Sequence, residues 1–140
     1  MKQEISQNIG KKAVLIMKGK KYPVLGVIAE DFSDVDTIKQ LVFKITGNST
    51  LTIKRKADKG CGKIINKGNV WSKDLKNRGC SLLVVVHDLD NNNLEELKEK
   101  IRKAIEPSPI KNFLICIPIK EIEAWLLCDE DAISKTFSLK

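Results

Sequence analysis

Two features of this 140-residue chain predict an α/β fold, a three-layer sandwich around a mainly parallel sheet of four or five strands. Short apolar runs rich in β-branched residues alternate with longer stretches whose apolar residues recur three and four apart, the order strand, helix, strand, helix. The short runs are apolar at every position, as in strands buried on both faces of a parallel sheet. Residues 23–140 read as a single domain of ordinary size, and residues 1–22 as an N-terminal arm or an edge strand over Lys12–Lys18.

The first clear strand is Val24–Glu30, after Pro23. Ser33 is the expected N-cap of the helix that follows, with Asp34 and Asp36 in its first turn and Val35, Ile38, Leu41, Val42 and Ile45 on its apolar face. Gly47 is its stop. Leu51–Lys56 has strand character. Gly60–Asn69 is rich in glycine and lysine and reads as a basic loop leading into a helix over Val70–Arg78, with Gly79 as C-cap. It lacks a full P-loop pattern. Leu82–Val86 is the central strand. Asn93 caps the next helix, with Glu96 at the capping-box position and Leu94, Leu97, Ile101, Ala104 and Ile105 along its apolar stripe. Phe113–Ile119 is the last strand, and a helix then begins near Lys120, with Ile122, Trp125 and Leu126 facing inward.

Composition excludes several classes. With 42% hydrophobic and 31% charged residues the chain is globular, and no apolar run approaches the ~20 residues of a membrane span. Neither a membrane role nor a secretory signal is expected, and the reading is cytoplasmic. Cys61, Cys80, Cys116 and Cys128 lack the spacing of a zinc site and read as buried thiols. The formal charge of +7 is uneven, since Lys54–Arg78 holds nine Lys or Arg against Asp58 and Asp74. That segment suits a polyanion held through its backbone, with Lys54, Arg55, Lys56, Lys63 and Lys67 as the candidate contacts. Solvated surface lysines are the plainer reading of any one of them. Aromatic residues are 5% of the chain, few for base stacking.

The chemistry is carried by acids. Asp88-Leu89-Asp90 follows the central strand, and continued alternation would turn both carboxylates the same way at its carboxyl end, where open α/β sheets bind ligands. Such a pair suits a hard divalent cation such as Mg²⁺; it is also an ordinary turn sequence. Glu30 with Asp34, and Glu121 with Glu123, end two further strands. Three acidic strand ends on one sheet edge concentrate like charge, which favours the metal reading. His87, the lone histidine, reads as structural.

Glu30 at the end of the first strand, an acid four residues on, Asp88-x-Asp90 after a later buried strand, and Glu121-Ile-Glu-Ala-Trp-Leu-Leu-Cys-Asp129 together resemble the TOPRIM domain. That is the metal-binding fold of topoisomerases, primases and overcoming-lysogenisation-defect nucleases. The last stretch is similar to a signature of small bacterial TOPRIM-like proteins, some associated with phage defence. The resemblance spans about Val24–Asp129, with Asp31 where the family commonly has glycine. It implies a TOPRIM-like domain over residues 23–140 that uses Mg²⁺ or Mn²⁺ to hydrolyse nucleic-acid phosphodiesters. Glu30 would be a metal ligand or general acid/base, and Asp34, Asp88, Asp90 and Glu121 ligands. Glu123 would complete the catalytic set, and Lys120 would steady a phosphate. The alternative is a non-catalytic TOPRIM-like module that binds nucleic acid or a protein partner, or forms a homodimer. A receiver-like switch also gathers acids at strand ends, but the Asp88-x-Asp90 pair suits it poorly.

Overall fold

The computed structural model of the chain describes residues 23–58 and 62–119. Among them are four strands, β1 (Leu25–Ala29), β2 (Ile53–Ala57), β3 (Leu82–Val86) and β4 (Asn112–Cys116). Three helices connect these, α1 (Phe32–Thr46), α2 (Lys63–Asn77) and α3 (Leu94–Ile105). The strands form one sheet in the order β2-β1-β3-β4, and every pairing is parallel. This is the expected α/β sandwich. Lys12–Lys18, Cys61, Cys128 and the helix expected from Lys120 lie outside the described residues.

The strand order explains the layers. From β1 the chain steps outward through α1 to β2, then returns through α2 across β1 to β3, and continues through α3 to β4. Right-handed crossovers in opposite directions put the helices on opposite faces. The two buried clusters follow this division. Val35, Ile38 and Val42 of α1 pack with Val27, Ala29, Val84 and Val86 on one face. Ile64, Trp71 and Leu75 of α2 and Leu97, Ile101 and Ile105 of α3 pack with Ile28, Leu83 and Val85 on the other. β1 is buried along its whole length and β3 nearly so, as their apolar runs required.

Two helix starts differ from the sequence reading. The N-cap of α1 is Asp31, whose Oδ1 accepts from the Asp34 N–H at 3.1 Å and from the Ser33 hydroxyl. Both residues are good caps, and aspartate at 31 leaves Ser33 inside the first turn, where it bonds its neighbour instead. The basic stretch ahead of Val70 is largely helix, because α2 already begins at Lys63. Tertiary packing explains this. Ile64 is fully buried, Lys63 and Lys67 both reach Asp58, and Gly68 lets α2 approach α3 so closely that an added Cβ would stand 3.1 Å from the Ala104 carbonyl oxygen. Asn69 Nδ2 ties the same contact by donating to the carbonyls of Ile105 and Pro107, both at 3.1 Å. At α3, Asn93 Oδ1 accepts from the Glu95 and Glu96 N–H groups, and Gly47 ends α1 at φ 65°, both as expected.

Candidate functional site

In the order β2-β1-β3-β4 the direction of chain progression reverses between β1 and β3. In sheets with such a reversal the crevice outside the carboxyl ends of these two strands is the place where ligands bind. Glu30 leaves β1 there, and His87, Asp88 and Asp90 leave β3 beside it. The two strands are paired in register from Leu25 with Leu82 to Ile28 with Val85.

The register brings Glu30 and His87 together. His87 Nε2 stands 3.3 Å from Glu30 Oε1, and both side chains are largely buried, at 8% and 18% exposure. The other ring nitrogen, Nδ1, lies 2.7 Å from the Asp88 carbonyl oxygen. A carbonyl oxygen only accepts, so Nδ1 carries the hydrogen. Nε2 and the carboxylate therefore bond only when one further proton sits between them. Sequence reasoning gave His87 a structural part and missed this contact. The available signal was its place directly after the central strand, one strand away from the end of β1.

The remaining acids stand at different depths. Asp34 is buried in the first turn of α1, where the helix N-terminus favours negative charge. Asp88 is half-buried. The extended path persists through Leu89, since the His87 N–H donates to the Cys116 carbonyl (3.1 Å) and the Leu89 N–H to that of Pro118 (2.9 Å). It ends at Asp90, which takes the left-handed φ of 48° and is exposed. Strand alternation therefore does not extend to Asp90, and this carboxylate sits on a turn that short polar residues tolerate. Among the described residues no group of three His, Cys, Asp or Glu side chains comes together in a way that could hold a metal ion. Lys120, Glu121 and Glu123 lie outside the described residues. The donors on hand are hard carboxylate oxygens, and Mg²⁺ is commonly held by one or two carboxylates with waters and substrate phosphates. Glu30 and Asp88 are donors of that type.

The basic flank lies on the β2 side of the crevice, and most of its charges have acids of their own. Lys63 and Lys67 Nζ each stand 3.3 Å from Asp58 Oδ2, and Lys56 Nζ stands 3.0 Å from Asp74 Oδ2. Hydrogen bonding by Lys63 and then Lys67 holds the Asp58 carboxyl below its ordinary value, and Lys56 does the same for Asp74. Arg55 lies 3.9 Å from Asp36 and stacks over the Phe32 ring, 4.7 Å from its centroid. Lys54 makes no ion pair among the described residues. Away from the crevice, Cys80 and Cys116 are buried thiols; burial raises both, Cys116 up to about 12. No helix among the described residues is long and apolar enough to cross a membrane.

Comparison with protein-family models, with curated proteins and with solved structures found no match to this chain.

Proposed function

We propose that the chain is a divalent-metal-dependent phosphodiesterase acting on nucleic acid, a nuclease of TOPRIM type that works in the cytoplasm. By the same resemblance the proposal extends to phage defence. The observation that carries it is the meeting of Glu30, at the end of β1, with His87, which directly precedes Asp88 at the end of β3, at the strand switch point. Each of two adjacent parallel strands ends in an acid where a ligand is expected, and carboxylate oxygens are the donors Mg²⁺ or Mn²⁺ prefers.

In this reading Asp88 and Asp90, with Glu30, hold the metal, and Asp34 supports that side from α1. Glu121 and Glu123 would complete the set and Lys120 would steady the phosphate. A bound Mg²⁺ or Mn²⁺ would neutralise charge on the scissile phosphate and make a bound water more acidic. The chain's own part is to position and to move a proton. Glu30 Oε1, with His87 Nε2 behind it at 3.3 Å, would take the proton of the attacking water, and the bond from Nδ1–H to the Asp88 carbonyl keeps the imidazole aligned for that transfer. Lys54 and Arg55 would hold the strand's phosphates without reading sequence.

A second reading, a TOPRIM-like module that binds nucleic acid or a protein partner without catalysis, is favoured by the lack of a three-ligand cluster among the described residues. Calorimetric titration of Mg²⁺ and Mn²⁺ separates the two. The nuclease reading expects binding by the parent chain that Asp88→Asn/Asp90→Asn abolishes. No binding by the folded parent, alone or with a single-stranded oligonucleotide present, would remove the metal-enzyme reading and leave the module.

A further inference from the structure

Four large apolar side chains are exposed among the described residues: Phe32, Val70, Leu94 and Ile119. Scattered exposed apolar residues are normal on a protein surface. Phe32 differs from the other three. It is the aromatic one, and it is the first residue of α1, two positions beyond Glu30 and therefore on the rim of the crevice. The residue is 46% exposed, and its ring has a cation over one face, the Arg55 guanidinium, 4.7 Å from the ring centroid. Asp36, one turn further along α1, lies 3.9 Å from the same guanidinium. The three side chains make a compact cluster between the basic strand β2 and the acidic crevice.

This is the layout of a stacking platform. An aromatic face takes a base of any sequence, while a guanidinium beside it takes the adjoining phosphate. A strand whose backbone runs from β2 toward the crevice passes Phe32 just before its phosphate reaches Glu30 and Asp88. We infer that Phe32, with Arg55 against it, stacks one unpaired nucleobase of a single-stranded nucleic acid at the mouth of the crevice and so sets which phosphodiester enters it. This inference rests on the nucleic-acid part of the proposed function and adds the kind of strand: a duplex would have to expose a base to use the platform. Arg55 lies over one face of the ring, so the base stacks on the opposite face, and the loose 3.9 Å contact with Asp36 lets the guanidinium turn to the adjoining phosphate.

The test is binding, in EDTA, of a single strand of about 12 nucleotides carrying one 2-aminopurine, prepared as DNA and as RNA, with a matched strand that is abasic at that position. Stacking quenches 2-aminopurine fluorescence. The parent should quench it and bind the abasic strand more weakly. Phe32→Ala and Phe32→Leu should each bind roughly 5- to 150-fold more weakly, the range expected for one base–aromatic stack, and Phe32→Trp should restore both affinity and quenching. The Leu and Trp variants separate loss of the ring face from loss of apolar area, and unchanged circular dichroism confirms folding. Equal affinity of parent, Phe32→Ala and Phe32→Leu, equal affinity for the abasic strand, or no binding of either oligonucleotide by the parent would each overturn the inference. Phe32-dependent binding in a chain that takes up no divalent metal ends the nuclease reading and keeps this one. Metal-dependent cleavage untouched by Phe32→Ala does the reverse.

Discussion

The crevice at β1 and β3 and the flank at β2 and α2 both bring opposite charges together, in opposite ways. At the crevice the Glu30–His87 contact is largely buried, the two groups come from adjacent strands, and the bond exists only with a proton between them. On the flank, Asp58 meets Lys63 and Lys67, and Asp74 meets Lys56 and Arg78, with these side chains 31–46% exposed. Buried contacts escape salt screening and are costly to leave half-made, whereas exposed ones are screened and individually weak. The difference assigns the two regions separate work. In the proposed reading the crevice would move one proton and the flank would lend charge, for which a phosphate would first compete with Asp58 and Asp74.

The largest effects are therefore expected at the crevice. Glu30→Gln keeps the shape of the side chain but cannot accept a proton, and cleavage should fall by about 10²–10⁴. His87→Ala should lower cleavage as well, and should also destabilise the fold by about 1–3 kcal/mol, because it leaves a largely buried carboxylate without its partner. Denaturant titration alongside the rate assay distinguishes the two roles. If His87→Ala unfolds no more readily than the parent, the contact contributes little and the contrast between the regions disappears.

An intermediate effect tests how the flank is held in place. In α2, Gly68→Ala gains about 1 kcal/mol of helix propensity, but its Cβ would meet the Ala104 carbonyl oxygen at 3.1 Å and Ile105 Cγ1 at 3.3 Å. Backbone cannot yield as a side-chain tip can, so α2 and α3 must part, at a typical cost of about 1–3 kcal/mol. The expected result is a net loss of stability on the order of 1 kcal/mol, read from the denaturation midpoint. A more stable Gly68→Ala variant would mean that Lys63 and Lys67 are not positioned by this close approach.

Legibility in the sequence tracked how local the deciding interactions were. β3 could be read directly because five consecutive apolar residues admit few alternatives, and Gly47 and Asn93 act on their own helix ends. The start of α2 could not. Its glycines and lysines look like loop chemistry until Gly68 is seen against Ala104 and the lysines against Asp58, contacts made by the folded chain alone. The Asp31 cap was misread by two residues because Asp and Ser serve equally well in that place. At the candidate site the sequence located Glu30 and Asp88 at strand ends. It was silent on the Glu30–His87 pairing, which depends on β1 and β3 being neighbours, and on the turn at Asp90, where the strand period ceases to apply.

The smallest effect is expected on the flank itself, and its sign is informative. Asp58→Asn releases Lys63 and Lys67 from their shared carboxylate and leaves two cations facing solvent. Binding of a single-stranded oligonucleotide should tighten a few-fold at low salt, with a steeper dependence on salt concentration, since more counterions are released. Stability at neutral pH should hardly change, as expected for exposed ion pairs. Acid should reveal the rest. Asp58 titrates below its ordinary value of 3.8 in the folded chain because the lysines hold its charged form. Its contribution is thus complete above that value and disappears as pH falls through the lower folded one. Asp58→Asn should remove that part of the acid dependence, while Asp74 and Glu99, lowered by Lys56 and Arg102, keep theirs. Tighter binding with a steeper salt slope would show that the flank is a phosphate-binding surface restrained by its own acids. Unchanged binding and slope would show that Lys63 and Lys67 serve the helix alone, and would leave Arg55, against Phe32, as the cation that meets the strand.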